Sequence, residues 1–213
     1  MDFHDLQGIF TYYLWFLLAL TIHEWGHAWS ACKLGDNTPI LEGRLTLNPL
    51  AHINLFGTVI IPLLMIIFIP GFMVVGWGNP VAINTNHFKH PRLGEIISFL
   101  MGPLCNLVLG LLVLLLALAI KKYSTSLCNL CIIGSSVSVS LGLFNLIPIP
   151  PLDGFHILKV FTGMKEETFI ELSRIGSLLL LVIINSTFFA YYFSIANHWV
   201  LGWFWKLGKI LFR

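Results

Sequence analysis

Long apolar stretches alternate with short, polar, turn-rich ones along almost the whole chain. The first apolar stretch, from about Leu6 to Ala31, is long enough to cross a bilayer as a helix. Residues 33–55 are polar and carry Gly35, Pro39, Gly43 and Pro49, and the alternation in Ile40–Leu47 predicts a short strand or β-hairpin. Phe56–Val75 is apolar again, but Pro62, Pro70 and Gly71 interrupt it. A second polar segment, Gly76–Arg92, leads into two stretches of spanning length. These are Gly94–Ile120, closed by Lys121 and Lys122, and Leu127–Ile147, which ends in the turn Pro148-Ile149-Pro150-Pro151. Beyond a polar segment from Lys159 to Arg174, Ile175–Ser194 is the last clear span. The tail from His198 mixes Trp199, Trp203 and Trp205 with Lys206, Lys209 and Arg213, which suits a helix lying in the membrane interface or a further short span.

Composition supports the membrane reading. Of the 213 residues, 57% are hydrophobic and only 10% charged, whereas a soluble domain carries about a quarter charged. Too little charge is available to cover a water-facing exterior. A net charge of +2 supplies no basic patch of the kind nucleic acid needs. The first 22 residues lack a basic start and a small-residue cleavage site, so they do not read as a removable signal peptide. Of the cysteines, only Cys128 and Cys131 are close in sequence; without a second pair they read as small apolar residues of a membrane helix.

The strongest chemical signal is His23-Glu24-Trp25-Gly26-His27. Residues four apart share one helix face, so both imidazoles can point at one ion while Glu24 lies beside it. Ionisable groups inside an apolar span are expensive and are functional candidates by default. Zinc in a catalytic site takes three protein ligands and leaves a position for water. Among the acidic residues, only Asp153 ends a spanning segment within a rigid turn, Pro150-Pro151-Leu152-Asp153-Gly154. Alone it would read as a helix N-cap; beside a two-histidine site lacking its third ligand, it reads as that ligand.

The His-Glu-x-x-His pattern, with Asn145-Leu-Ile-Pro148-Ile-Pro150-Pro151-Leu152-Asp153-Gly154 far downstream, resembles the site-2 protease family. Gly43-Arg-Leu-Thr-Leu-Asn48-Pro49, Phe56-Gly57-Thr58, Gly76-Trp77, Pro80-Val81, and Gly102-Pro103 followed by Asn106 resemble its short bacterial branch. The resemblance runs from about His23 to Leu158. It implies His23, His27 and Asp153 as ligands of one Zn2+ per chain, Glu24 as general base, and Asn145 near the bound substrate, although asparagine before a proline turn reads equally as a helix-ending residue. It also implies a transmembrane protein as substrate, a lipid bilayer as surroundings, and room for a regulatory membrane partner. Where the family often has Asp this chain has Asn54, Phe155-His156 replaces a usual Gly-Arg, and Met101 a usual small residue. His52, His87, His90 and His156 are read as solvated loop residues.

Topology follows from where the ligands must meet. His23 and His27 lie toward the end of the first span, and Asp153 follows the end of Leu127–Ile147. One ion cannot bridge a hydrocarbon layer about 30 Å thick. These spans must therefore run the same way, with Gly94–Ile120 opposite, and residues 33–92 must begin and end on one side. Phe56–Val75 is accordingly predicted to be re-entrant, or a short hairpin that dips in and returns. Lys33, Arg44, Lys89, Arg92, Lys159, Lys165 and Arg174 fall on the metal side, which marks it as cytoplasmic. The expectation is an all-α integral membrane protein of one domain, residues 1–213. It has about four spanning helices, a re-entrant segment, short β-hairpin elements and a C-terminal interfacial helix. It sits in a bacterial cell (inner) membrane with its active site toward the cytoplasm, as an intramembrane zinc metalloendopeptidase. Two alternatives use similar residues. A membrane di-iron oxygenase needs more histidines and gives Glu24 and the Asp153 turn no task. A non-proteolytic metal-binding protein or metal transporter would not need Glu24.

Overall fold

The structure is a computed structural model that describes residues 3–62, 64, 76 and 78–212. The helices are α1 (Phe3–Leu34), α2 (Thr38–Leu41), α3 (Pro91–Ile120), α4 (Thr125–Asn145), α5 (Asp153–Thr162), α6 (Glu166–Ile184) and α7 (Thr187–Leu211). Pro49–Ala51 and Thr85–His87 form single 3-10 turns, and Leu55–Ile60 a π turn.

Helix ends follow local chemistry. Pro91 occupies the first turn of α3, where a missing amide hydrogen costs nothing. Ser124 and Ser186 cap α4 and α7, each hydroxyl accepting a backbone N–H in the first turn. Gly163, at φ 64°, ends α5 in the left-handed conformation that favours glycine.

The helices that position the site are α1, α3 and α4. Without a hydrophobic driving force between helices in lipid, close approach rests on small residues and interhelical hydrogen bonds. Here Gly142 of α4 sits against the Pro103 carbonyl of α3, and Gly110 of α3 against Val139 of α4. Ser135 Oγ donates to the Gly110 carbonyl at 2.7 Å. Since 103 meets 142 and 110 meets 135–139, α3 and α4 are antiparallel. Trp15 of α1 lies over Gly134 of α4, and residues 23 and 27 meet Asp153 beyond the C-terminal end of α4, so α1 and α4 run the same way. Cys128 and Cys131 pack among Val113, Ala117 and Trp15, as small apolar residues.

By length and apolarity, α3 and α4 are able to cross a membrane, and the α6–α7 pair makes a third span if it is counted as one, bent by 81°. Among the described residues that measure finds two or three spans, and it does not confirm the four expected. No strand occurs among the described residues, so the β-hairpin elements expected around Ile40–Leu47 are absent there. Asp36 accepts the backbone N–H and hydroxyl of Thr38, Pro39 fixes the next φ, and the chain starts a helical turn instead. The expected span Ile175–Ser194 is broken at Asn185-Ser186: the Ser186 hydroxyl donates to Ile183 and caps α7. The tail does not form a helix of its own. It is the second half of α7, which runs lengthwise beside the α3–α4 hairpin. Phe144 meets Phe189 and Phe193, Ser140 donates to Asn197, and Gly208 reaches Leu115 and Leu118. Of the predicted re-entrant segment Phe56–Val75, residues 63 and 65–75 lie outside the described residues.

Candidate metal centre

One helical turn of α1 carries the histidine pair, and the Pro-rich turn after α4 delivers the carboxylate. His23 Nε2 lies 3.0 Å from His27 Nε2, and Asp153 Oδ2 lies 3.1 and 3.3 Å from these nitrogens. The three ligand atoms fall within 4.8 Å of one another, the one such cluster found among the described residues. Both histidines are buried. Asp153 Oδ2 is also shielded from solvent and forms no hydrogen bond of good geometry, so three electron-pair donors crowd one point. That donor set, two imidazoles and one carboxylate, suits zinc with a coordination position to spare. Asp153 is not the N-cap of α5: Leu152 holds that position, and Asp153 lies in the first helical turn.

Neighbouring backbone makes room for this arrangement. A Cβ on Gly102 would strike the His27 ring, so only glycine allows α3 to pass this close. A Cβ on Gly154 would strike the Leu146 carbonyl, so glycine after Asp153 lets α5 begin directly against the end of α4. His27 Nδ1 faces the Ser98 carbonyl at 2.7 Å, which accepts the Nδ1–H and leaves Nε2 with its lone pair toward the cluster. His23 Nδ1 lies 3.1 Å from the side-chain amide of Asn106. Glu24, also buried, accepts the Val81 backbone N–H on Oε2 at 3.1 Å. The peptide after Pro80 thereby orients the carboxylate.

The structure does not gather every sequence candidate. Asn145 donates its amide to the Leu141 carbonyl of its own helix, at 2.9 Å. His52 is fully buried, with Nε2 2.9 Å from the Thr46 carbonyl, and is not the solvated loop residue expected. His156 is not a solvated loop residue either: it lies half-buried in α5 and stacks on Phe99, ring centroids 3.7 Å apart, and Phe99 in turn borders His27. His87 is exposed and approaches Asp36, and His90 precedes α3 at the surface.

The model of peptidase family M50 matches residues 119–184, which include Asp153 but not the histidine pair. YwhC of Bacillus subtilis is 39% identical over 151 residues, covering 67% of this chain and 65% of that protein. Rip2 of Mycolicibacterium smegmatis is 30% identical over 199 residues, covering 91% of this chain and 72% of that protein. The chain belongs to peptidase family M50. YwhC and Rip2 are provisionally named zinc metalloproteases, as is Rip2 of Mycobacterium tuberculosis, 27% identical over 203 residues, 92% of this chain and 73% of that protein. The chain thus spans about two-thirds to three-quarters of these relatives. No solved structure matches.

In this M50 chain, reading the sequence missed Ser98, Gly102, Asn106 and Val81 as parts of the site. Pro80-Val81, Gly102-Pro103 and Asn106 stood in the sequence as family signals, without a role in the site. A neutral amide, a glycine and a backbone carbonyl gain a chemical role only when α3 is laid against α1.

Proposed function

We propose that this M50 chain is an intramembrane zinc metalloendopeptidase that cleaves peptide bonds in or near transmembrane segments of other membrane proteins. The observation that carries the reading is the convergence of His23, His27 and Asp153 beside a buried glutamate, inside a bundle of apolar helices. The three side chains would hold one zinc ion. Bound there, zinc supplies Lewis acidity that polarises the scissile carbonyl and acidifies the attacking water. Glu24 takes a proton from that water as its oxygen attacks the carbonyl carbon. As the C–N bond breaks, Glu24 returns the proton to the leaving nitrogen. The Val81 N–H holds the carboxylate in one orientation through both transfers. Asn145, at the end of α4, is assigned to the substrate side, where its amide would meet an unwound substrate backbone. The substrate helix hides its carbonyls in its own hydrogen bonds, so helix-weak residues such as Gly or Pro near the cut favour cleavage.

Residues 1–213 act as one membrane-embedded unit. We assign four crossings, by α1, α3, α4 and α7, with α6 lying across the site end. The membrane is the bacterial inner membrane, with the site toward the cytoplasm.

The test is purified protein reconstituted with single-span candidate substrates. Glu24→Gln keeps zinc and the fold but loses cleavage by about 10²-fold or more. His23→Ala loses the zinc as well. Undiminished cleavage by Glu24→Gln removes the base assignment, and cleavage by neither wild type nor variant, with zinc bound, favours a non-proteolytic metal protein.

A further inference from the structure

Asn106 lies in α3 with no solvent exposure, seated where Gly142 of α4 leaves room for its Cβ. Its Nδ2 is 3.1 Å from His23 Nδ1, and its Oδ1 is buried without a hydrogen-bond partner. A neutral imidazole carries one hydrogen, and the partner of one ring nitrogen decides where that hydrogen sits. An amide N–H donated to Nδ1 would leave the hydrogen on Nε2, aimed at the point shared with His27 Nε2 and Asp153 Oδ2. No cation can be held through an N–H. Half a turn of the side-chain amide exchanges the two atoms, which have almost the same shape. Oδ1 then accepts from Nδ1–H, and Nε2 turns its lone pair toward the other two donors. The exchange creates no additional unpaired atom, since one amide atom lacks a partner in either orientation. His27 already has the matching arrangement through the Ser98 carbonyl.

We propose that Asn106 is a positioning residue for the metal: its side-chain oxygen selects the His23 tautomer able to bind zinc through Nε2. The proposal rests on the zinc reading above. It assigns the two imidazoles separate supports from one helix, a backbone carbonyl at Ser98 and a side-chain carbonyl two turns later at Asn106. An outer partner of this kind is worth about 10–100-fold in metal affinity.

The experiment is zinc affinity by chelator competition on wild type, Asn106→Leu and Asn106→Asp. Leu approximates the volume but accepts no hydrogen bond, and its affinity falls about 10–100-fold. Asp accepts the Nδ1–H and keeps affinity within a few-fold of wild type or tightens it. A packing role for Asn106 predicts the opposite order, because Leu is tolerated in an apolar bundle and a buried carboxylate is not. Leu at wild-type affinity overturns the proposal. So that the idea survives or falls even if both variants misfold, the zinc-loaded wild type is examined by 15N NMR of the histidine side chains. His23 with hydrogen-bearing Nδ1 supports the assignment, and hydrogen-bearing Nε2 overturns it. Wild type that binds no zinc overturns the metal reading itself, an outcome distinct from loss in Asn106→Leu alone.

Discussion

At the scale of single residues, the site divides into side chains that announce their chemistry and side chains that do not. His23, Glu24 and His27 are legible because spacing of four on a helix is a local property, and because charge in an apolar span is expensive. Gly102 is silent by comparison, yet its missing Cβ is what admits the His27 ring. Gly102→Ala should push that ring off the shared point and weaken zinc binding at least tenfold in chelator competition. Gly110→Ala is the matched control. Its Cβ would meet Val139 Cγ2 and the Ser135 carbonyl, far from the metal donors. It should cost about 1–3 kcal/mol of stability through overpacking, seen as a lower melting temperature, with one zinc per chain retained. Equal zinc affinities in the two variants would count against the role given to Gly102. His52 shows the converse error of sequence reading. A histidine between turn residues reads as solvated, but the Thr46 carbonyl draws it into the interior.

Elements were legible where the apolar period is long and unbroken, as in α3 and α4, and misread where a polar side chain decides the local path. Residues 40–47 alternate as a strand would, but a strand needs a partner ladder, and capping by Asp36 is available at once. The same carboxylate ties the end of α1 to the segment before α3. It accepts the Asn84 N–H at 2.7 Å and approaches His87 Nδ1 at 2.9 Å. Burial alone would raise the Asp36 carboxyl, but hydrogen bonds from Thr38, His87 and Asn84 outweigh it and hold the group below its ordinary value. A depressed folded value means that ionised Asp36 stabilises the fold above the unfolded value, about pH 4. That contribution fades as pH falls through the lower folded value. Asp36→Asn should therefore melt several degrees below wild type at pH 6–7, and the gap should close as pH drops below about 4. A gap that widens in acid would contradict the assignment. The break between α6 and α7 has the same origin: Asn185 and Ser186 interrupt an apolar run whose hydropathy conceals them.

At the scale of the whole molecule, the proposed metal site requires a topology that agrees with the packing. α1 and α4 run together toward the site, and α3 runs back between them. α7 leaves from Phe144 at the site end and reaches Leu118 at the other. With 25 residues, α7 is about 37 Å long, a length that fits the crossing proposed for it. Lys206 and Lys209 consequently join Lys121 and Lys122 at the far end, which the sequence reading had placed apart as an interfacial tail. The basic bias survives this change. Lys33, Arg44, Lys89, Arg92, Lys159, Lys165 and Arg174 remain at the site end, flanking the spans where positive charge governs orientation. The contact of Asp36 with Thr38, Asn84 and His87 adds an independent constraint, because hydrogen bonds of this length put residues 36–38 and 84–87 at one end of the bundle. Single cysteines at Glu42, Asn86 and Tyr123, all exposed, test the arrangement in a background lacking the four native cysteines. Membrane-impermeant reagent should label Glu42→Cys and Asn86→Cys from the cytoplasmic face only, and Tyr123→Cys from the outer face only. Labelling of Glu42→Cys and Asn86→Cys from opposite faces would break both the Asp36 contact and the path that brings Asp153 to the histidines. The same pairing with inside and outside exchanged would keep the bundle and the site, and would move the proposed proteolysis to the outer half of the membrane.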